Sequence, residues 1–198
     1  MSRWALVPIK GFDRGKSRLA EVLPPAERAR LARELFEHVI DVLRTSPAID
    51  GVAVVSNSHE AREHARHLGV LPLADAAGSE GLADVVDGAL VELERRGATS
   101  VMICMSDLPD LSLEDVASVS EQLDESDVVL VPDLCRRGTN VVAIKPATGF
   151  PSCLGHEDSL RRHHDQARRL GLTVSIQLRN GIGFDVDQPG DLERLRGR

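Results

Sequence analysis

The sequence predicts an α/β fold of three layers, a mainly parallel sheet covered by helices on both faces, with a short antiparallel insert. Three observations lead there. Short apolar runs rich in Val and Ile alternate with helical patterns along most of the chain, the order that gives parallel strands joined by crossover helices. Two strand candidates, 128–131 and 141–144, are separated only by the loop Asp133–Thr139, so they read as an antiparallel pair. The length, 198 residues, suits one domain with a full core and no need of disulfide or metal staples. Residues 1–198 are accordingly expected to form a single domain, without repeat, linker or low-complexity tract.

The elements follow in order. Trp4 to Ile9 is a buried-strand candidate, and a polar, glycine-containing loop runs from Lys10 to Arg18. Pro24-Pro25 opens a long helix. Its stripe of Leu31, Leu35, Val39 and Val42, widened by Phe36, Ile40 and Leu43, ends before Pro47. Val52–Val55 is a second strand. Ser58 caps a helix that runs to Leu68 and stops at Gly69. A weak strand at Val70–Leu73 and a helix from Gly81 to Arg96 come next. Val101–Met105 is the strongest strand candidate, and Ser112 with Asp115 has the capping-box spacing for the following helix. After the antiparallel pair, Ser159–Leu170 is helical, Thr173–Leu178 extended, and Pro189 opens a short last helix.

Composition excludes several functions. Lys and Arg total 24 against 31 Asp and Glu, a net charge of −7, which argues against nucleic acid as partner. There are four Phe, one Trp and no Tyr, too few rings for a base-stacking surface. Cys104, Cys135 and Cys153 show no paired spacing, and Cys104 reads as a buried thiol. No targeting segment and no run near ~18 apolar residues is apparent. The expectation is a cytoplasmic protein with no membrane partner.

Ligands in open α/β sheets bind beyond the carboxyl ends of the strands, so the residues just after each strand carry the candidates. After the first strand, Lys10-Gly11-Phe12-Asp13-Arg14-Gly15-Lys16-Ser17-Arg18 combines basic side chains, two glycines and a serine, a composition suited to phosphate oxygens. It is not a Walker loop, because only three residues separate Gly11 from Gly15-Lys16-Ser17 where four are needed; a solvated basic loop is the competing reading. After Val101–Met105 comes Asp107-Leu108-Pro109-Asp110, either a Mg²⁺-holding carboxylate or a helix-entry turn. In Phe184-Asp185-Val186-Asp187, an extended chain would put both acids on one face, where like charges call for a cation. Alternatively, Asp187 caps the last helix. The seven histidines make no HExxH pair, and no Gly-x-Ser-x-Gly turn is present.

Taken together, Trp4–Lys10, Lys16-Ser17-Arg18-Leu19, Asp107-Leu108-Pro109, Gly138-Thr139-Asn140, Ser159-Leu160-Arg161-Arg162-His163 and Phe184–Leu192 resemble the 2-phospho-L-lactate / phosphoenolpyruvate guanylyltransferase family of coenzyme F(420) biosynthesis. The resemblance spans the chain. It implies a fold resembling the nucleotide-diphospho-sugar transferases, GTP as donor, pyrophosphate as leaving group and Mg²⁺ as cofactor. It implies metal ligands at Asp107 and Asp187, with Asp185 beside them, and a GTP-phosphate contact from Lys16. Lys10 and Arg18 join Lys16 as substrate-binding candidates, and Thr139, Gly155 and Ser159 would hold a small phosphorylated acid. The sequence departs from the family at Gly81-Leu82-Ala83, where Gly-Leu-Asn is common, at Leu154, where an aromatic is usual, and in the Gly155–Ser159 spacing, one residue longer. A molybdenum-cofactor or sugar-phosphate nucleotidyltransferase keeps the chemistry with another acceptor. The first would favour a Leu-Ala-Gly-Gly opening, which Leu6-Val7-Pro8-Ile9 is not. A catalytically inactive nucleotide-binding regulator is the reading from another class, and the complete set Lys16, Asp107 and Asp187 speaks against it.

Overall fold

The computed structural model describes residues 2–76 and 78–197. Seven strands form one sheet: β1 (Arg3–Pro8), β2 (Gly51–Ser56), β3 (Leu71–Ala74), β4 (Ser100–Cys104), β5 (Val128–Pro132), β6 (Thr139–Ile144) and β7 (Val174–Ile176). Their order is β3-β2-β1-β4-β6-β5-β7. Only β6 runs against its neighbours: it pairs antiparallel with both β4 and β5, while the other pairings are parallel. The insert expected at 128–144 is therefore real. It is threaded into the sheet, so the amino end of β6 meets the carboxyl end of β4, with Cys104 opposite Val141.

Among the described residues seven helices accompany the sheet: α1 (Pro25–Thr45), α2 (His59–His67), α3 (Leu82–Arg95), α4 (Leu113–Glu125), α5 (Ser159–Arg169), α6 (Asn180–Gly183) and α7 (Pro189–Arg196). Alternate side chains of β1 divide the core. Ala5 and Val7 face α1, α2 and α4 through Phe36, Val39, Ala65 and Val119. Leu6 faces α3 and α5 through Leu90, Leu93 and Ala167. Such two-sided burial explains why the strands read as unbroken apolar runs and not as alternating ones. Each fully buried Leu, Val or Phe here is worth about 1.5–3 kcal/mol relative to exposure.

The caps expected from the sequence are formed. Ser58 Oγ accepts from the Ala61 N–H, and Ser112 with Asp115 makes a reciprocal capping box. Three details differ from expectation. A 3₁₀ turn, Ser17–Leu19, closes the first loop, and β7 is shorter than 173–178. Gln188, in a capping box with Asp191, caps α7, so Asp187 is spared that task. No helix among the described residues is long and apolar enough to cross a membrane.

A third apolar cluster places the chemistry. Leu19 and Leu23, after the first loop, pack with Leu35 of α1 and with Phe184, Val186 and Leu192. The carboxyl-terminal segment is thus fastened across the loop that follows β1. Gly181 is required on the way. A Cβ there would lie 2.3 Å from Asp115 Oδ2 and 2.6 Å from the Asp110 carbonyl, a closeness no side chain permits.

Candidate active site

The loop after β1 is not a loosely solvated basic loop. Phe12 is buried and packs edge-on against Phe36, ring centroids 5.5 Å apart, with the Arg33 guanidinium over its face. Leu19 is buried at the other end. Between these anchors Lys16 adopts a left-handed conformation, φ 57° and ψ 36°, which is uncommon for a residue with a side chain and recurs at functional sites. The turn sends its ammonium back over the sheet edge, where only 6% of the side chain is exposed.

Lys16 Nζ donates to Asp107 Oδ2 at 2.5 Å and lies 3.9 Å from Asp187 Oδ1. One ammonium therefore bridges residues that the chain supplies from three distant places. Arg18 donates to the second Asp187 oxygen at 2.6 Å. The Val186 N–H reaches the Asp107 carbonyl at 3.3 Å, tying the two segments together by backbone. Phe184 and Val186 are buried while Asp185 and Asp187 point the other way. The alternation expected of an extended chain holds, although no ladder forms there.

Asp185 has a different partner from the other two acids. Its Oδ1 accepts from Asn140 Nδ2 at 3.3 Å, and the same amide donates to the carbonyls of Ile182 and Gly183. Burial, with repulsion from Asp107 next, pushes its carboxyl up to about 6. Among the described residues no group of three His, Cys, Asp or Glu side chains is arranged to hold a metal ion. Of the expected trio, Asp107 and Asp187 share Lys16, while Asp185 accepts from Asn140 within repulsive reach of both. A pair still fits Mg²⁺, which takes one or two carboxylates and fills its remaining positions with water and substrate phosphates.

These groups open on a cavity of about 480 Å³ at the carboxyl edge of β1, β2, β3 and β4. Lys10, Gly11, Arg14, Gly15, Lys16, Ser17, Asp107 and Asp187 line it, with Pro8, Val55, Leu82 and Val85 as apolar wall. The size suits a small-molecule ligand. Lys10 and Lys16 face it as expected. Arg18, 58% exposed at its side chain, serves Asp187 and is not part of the wall.

Thr139, Gly155 and Ser159 are also outside the cavity wall. Thr139 and Ser159 are buried and joined to each other, Oγ to Oγ1, at 3.1 Å. Gly155, at φ +91°, brings its loop against Leu82, where an added Cβ would meet the Leu82 Cβ at 3.4 Å. The first N–H groups of α5 are taken: Ser159 N–H donates to the His156 carbonyl and Leu160 N–H to the Arg137 carbonyl. The hydroxyl pair nonetheless adjoins the site, because the Met105 N–H donates to the carbonyl of Asn140, the residue after Thr139.

His163 organises this pair, a role invisible in the sequence. The Cys153 N–H donates to Nε2 at 2.8 Å. Nε2 must then be unprotonated, and Nδ1–H donates to Thr139 Oγ1 at 3.2 Å. Phe150 stacks on this ring with centroids 5.9 Å apart. It is therefore already occupied. Burial pulls the imidazole down to about 4. It is neutral in the fold but protonated in the unfolded chain below about 6.5, so its contribution to stability is complete above pH 6.5 and lost as pH falls toward 4. By pH 5 this linkage costs about 2 kcal/mol. Urea midpoints measured between pH 7 and pH 5 should fall more steeply for the wild type than for His163→Asn; parallel curves would contradict the assignment.

Comparison with known proteins agrees with the geometry. The family model described as "Guanylyl transferase CofC like" matches residues 3–196. A phosphoenolpyruvate guanylyltransferase of Sphaerobacter thermophilus is 36% identical over 199 residues, covering 100% of this chain and 94% of the relative. A 2-phospho-L-lactate guanylyltransferase of Methanothermobacter thermautotrophicus is 28% identical, covering 98% and 84%. In fold, the chain resembles a crystal structure from Desulfovibrio desulfuricans G20 described as a candidate nucleotide-diphospho-sugar transferase, with a TM-score of 0.82 at 20% identity over 98% and 87% of the two chains. It also resembles CMP:2-keto-3-deoxy-manno-octonic acid synthetase complexed with CTP, with a TM-score of 0.69 at 13% identity over 100% and 98%. The molybdenum-cofactor, sugar-phosphate and inactive-regulator readings are not favoured by these relatives, and the chain is a nucleotidyltransferase that belongs to the CofC-like guanylyl transferase family.

Proposed function

We propose that this guanylyltransferase moves GMP from GTP to a small three-carbon acid bearing both a phosphate and a carboxylate, releasing pyrophosphate, as a step in coenzyme F(420) biosynthesis. The acceptor is phosphoenolpyruvate, 2-phospho-L-lactate or 3-phosphoglycerate. The observation that carries the reading is the Lys16 ammonium between Asp107 and Asp187 at the wall of the cavity. The names of the relatives above support the acceptor class. The reaction belongs in the cytoplasm, where nucleotide and acid are available, and needs neither nucleic acid nor membrane.

A phosphate oxygen of the acceptor attacks the α-phosphorus of GTP, and the bond to the oxygen bridging to the β-phosphorus breaks. That oxygen leaves with the electron pair as part of pyrophosphate, and an ionised acceptor phosphate needs no base. Lys10 and Lys16 face the triphosphate. Lys16 is placed to meet charge that grows on the leaving group, the kind of interaction that favours the transition state over the ground state. Mg²⁺, held by Asp107 and Asp187, would supply further neutralisation of the triphosphate. Arg18 keeps Asp187 aimed. Thr139 offers a hydroxyl donor to the acceptor's anionic groups, and Ser159, whose own hydroxyl donates to Thr139 Oγ1, holds it in place.

GTP-dependent pyrophosphate release, measured in parallel with the three acids and a sugar phosphate, tests the reading. It is lost if no acid supports turnover or if the sugar phosphate outcompetes all three. Ser159→Ala should raise the acceptor KM roughly tenfold and leave the GTP KM unchanged. A rise confined to GTP would remove Ser159 from the acceptor site.

A further inference from the structure

We propose that Asp75 is the residue that selects the nucleobase: its carboxylate accepts the two adjacent N–H donors on the Watson–Crick edge of guanine. The inference rests on the reading of the cavity as a nucleoside triphosphate site, and adds to it the group that distinguishes one base from another.

Asp75 follows β3 directly and lines the cavity. Its Oδ1 is shut off from solvent and has no hydrogen-bond partner among the described residues. A polar atom of this kind is uncommon in a native structure and calls for an explanation such as a missing ligand. Burial pushes the Asp75 carboxyl up, and Arg62 offsets this only in part, its Nη1 being committed to the Ser56 carbonyl at 2.6 Å. The cavity that Asp75 lines also holds the apolar side chains of Val55, Leu82 and Val85, suited to the faces of a flat ring, together with the polar Asn57, Ser79 and Glu80.

Position agrees. β3 and β4 are separated by β2 and β1, three strand spacings or about 14 Å. Asp75 after β3 and Asp107 after β4 therefore stand apart by about the reach of a nucleotide from base to α-phosphate. The chemistry then chooses the base. An ionised carboxylate only accepts hydrogen bonds. Guanine presents N1–H and the N2 amine side by side. Adenine and cytosine each present one amine beside a ring-nitrogen lone pair, and uracil one N–H between two carbonyls, so each would set an acceptor against the carboxylate.

The consequence is a predictable change of specificity. Xanthine keeps N1–H but carries a carbonyl at C2. An asparagine at position 75 would match it, with the amide oxygen accepting from N1–H and the amide N–H donating to that carbonyl. Asp75→Asn should lower kcat/KM for GTP roughly a hundredfold, raise it for XTP, and invert the GTP/XTP preference, with the acceptor KM unchanged. The wild type should prefer GTP to ITP, which lacks only the N2 amine, by about tenfold or more; this arm holds even if the variant fails to fold. Equal use of GTP and ITP by the wild type, or an unaltered GTP/XTP ratio in a folded Asp75→Asn variant, overturns the assignment of Asp75. If the wild type takes no nucleotide at all, or prefers CTP or UTP, the donor reading itself fails and this inference goes with it.

Discussion

Asp107→Asn is expected to cut the rate of pyrophosphate release roughly a thousandfold while the protein stays folded. The substitution preserves shape and removes one full charge. What it leaves intact matters as much. The hydrogen bond from the Val186 N–H runs to the Asp107 backbone carbonyl, so the carboxyl-terminal segment remains docked. Leu108 beside it stays buried in the core. The loss is therefore electrostatic: a cation that neutralises a triphosphate loses one of its two carboxylates, and several kcal/mol of transition-state stabilisation corresponds to about three powers of ten in rate. Asp187→Asn should be comparably damaging, and it additionally frees Arg18. On the proposal that both acids serve one ion, the double variant should be scarcely worse than either single one. A near-wild-type rate for Asp107→Asn at saturating Mg²⁺ would remove the metal from the mechanism. Multiplicative losses in the double variant would mean that the two acids do separate jobs.

The elements of this fold were legible because the local signals agree with one another. Val101 to Cys104 could hardly be anything but a buried strand, and Ser58, Ser112 and Pro189 mark helix starts by mechanisms confined to a single turn. The same local logic put Lys16 and Asp107 after strands, where ligands bind. It also foresaw the two-residue alternation that turns Asp185 and Asp187 away from Phe184 and Val186. What could not be read is whatever depends on contacts across the fold. That Asp185 turns to Asn140 is decided by β6 entering the sheet antiparallel beside β4. That Phe150 is spoken for depends on His163, which looks like one polar residue on an arginine-rich helix until Thr139 and the Cys153 N–H are placed on either side of its ring. Asp75 follows a strand too, but an acid after a weak edge strand is ordinary; its unsatisfied oxygen is what marks it. The helix start at Ser159 is the opposite case. An isolated helix does offer free N–H groups, but here neighbouring carbonyls take the first two.

Lys16→Met should lower kcat/KM for GTP by roughly a hundredfold or more, mostly through kcat. Methionine keeps much of the aliphatic stem that packs in this nearly closed position. It carries a Cβ as lysine does, so the left-handed backbone at φ 57° costs the two residues about the same. The difference is the charge. If the ammonium only bound ground-state GTP, saturating nucleotide would restore the rate and KM alone would rise. If it meets the charge growing on the departing pyrophosphate, kcat stays low at any GTP concentration. A second alternative is that Lys16 merely relieves repulsion between Asp107 and Asp187. In that case the nucleotide-free variant should bind Mg²⁺ more tightly, since two carboxylates lose their shared ammonium, and a higher Mg²⁺ concentration should return full activity. Tighter Mg²⁺ binding with no recovery of kcat is the expected outcome, because an ion between the carboxylates cannot also stand where Nζ faces the leaving group. Full recovery of kcat in excess Mg²⁺ would reduce Lys16 to a counter-ion.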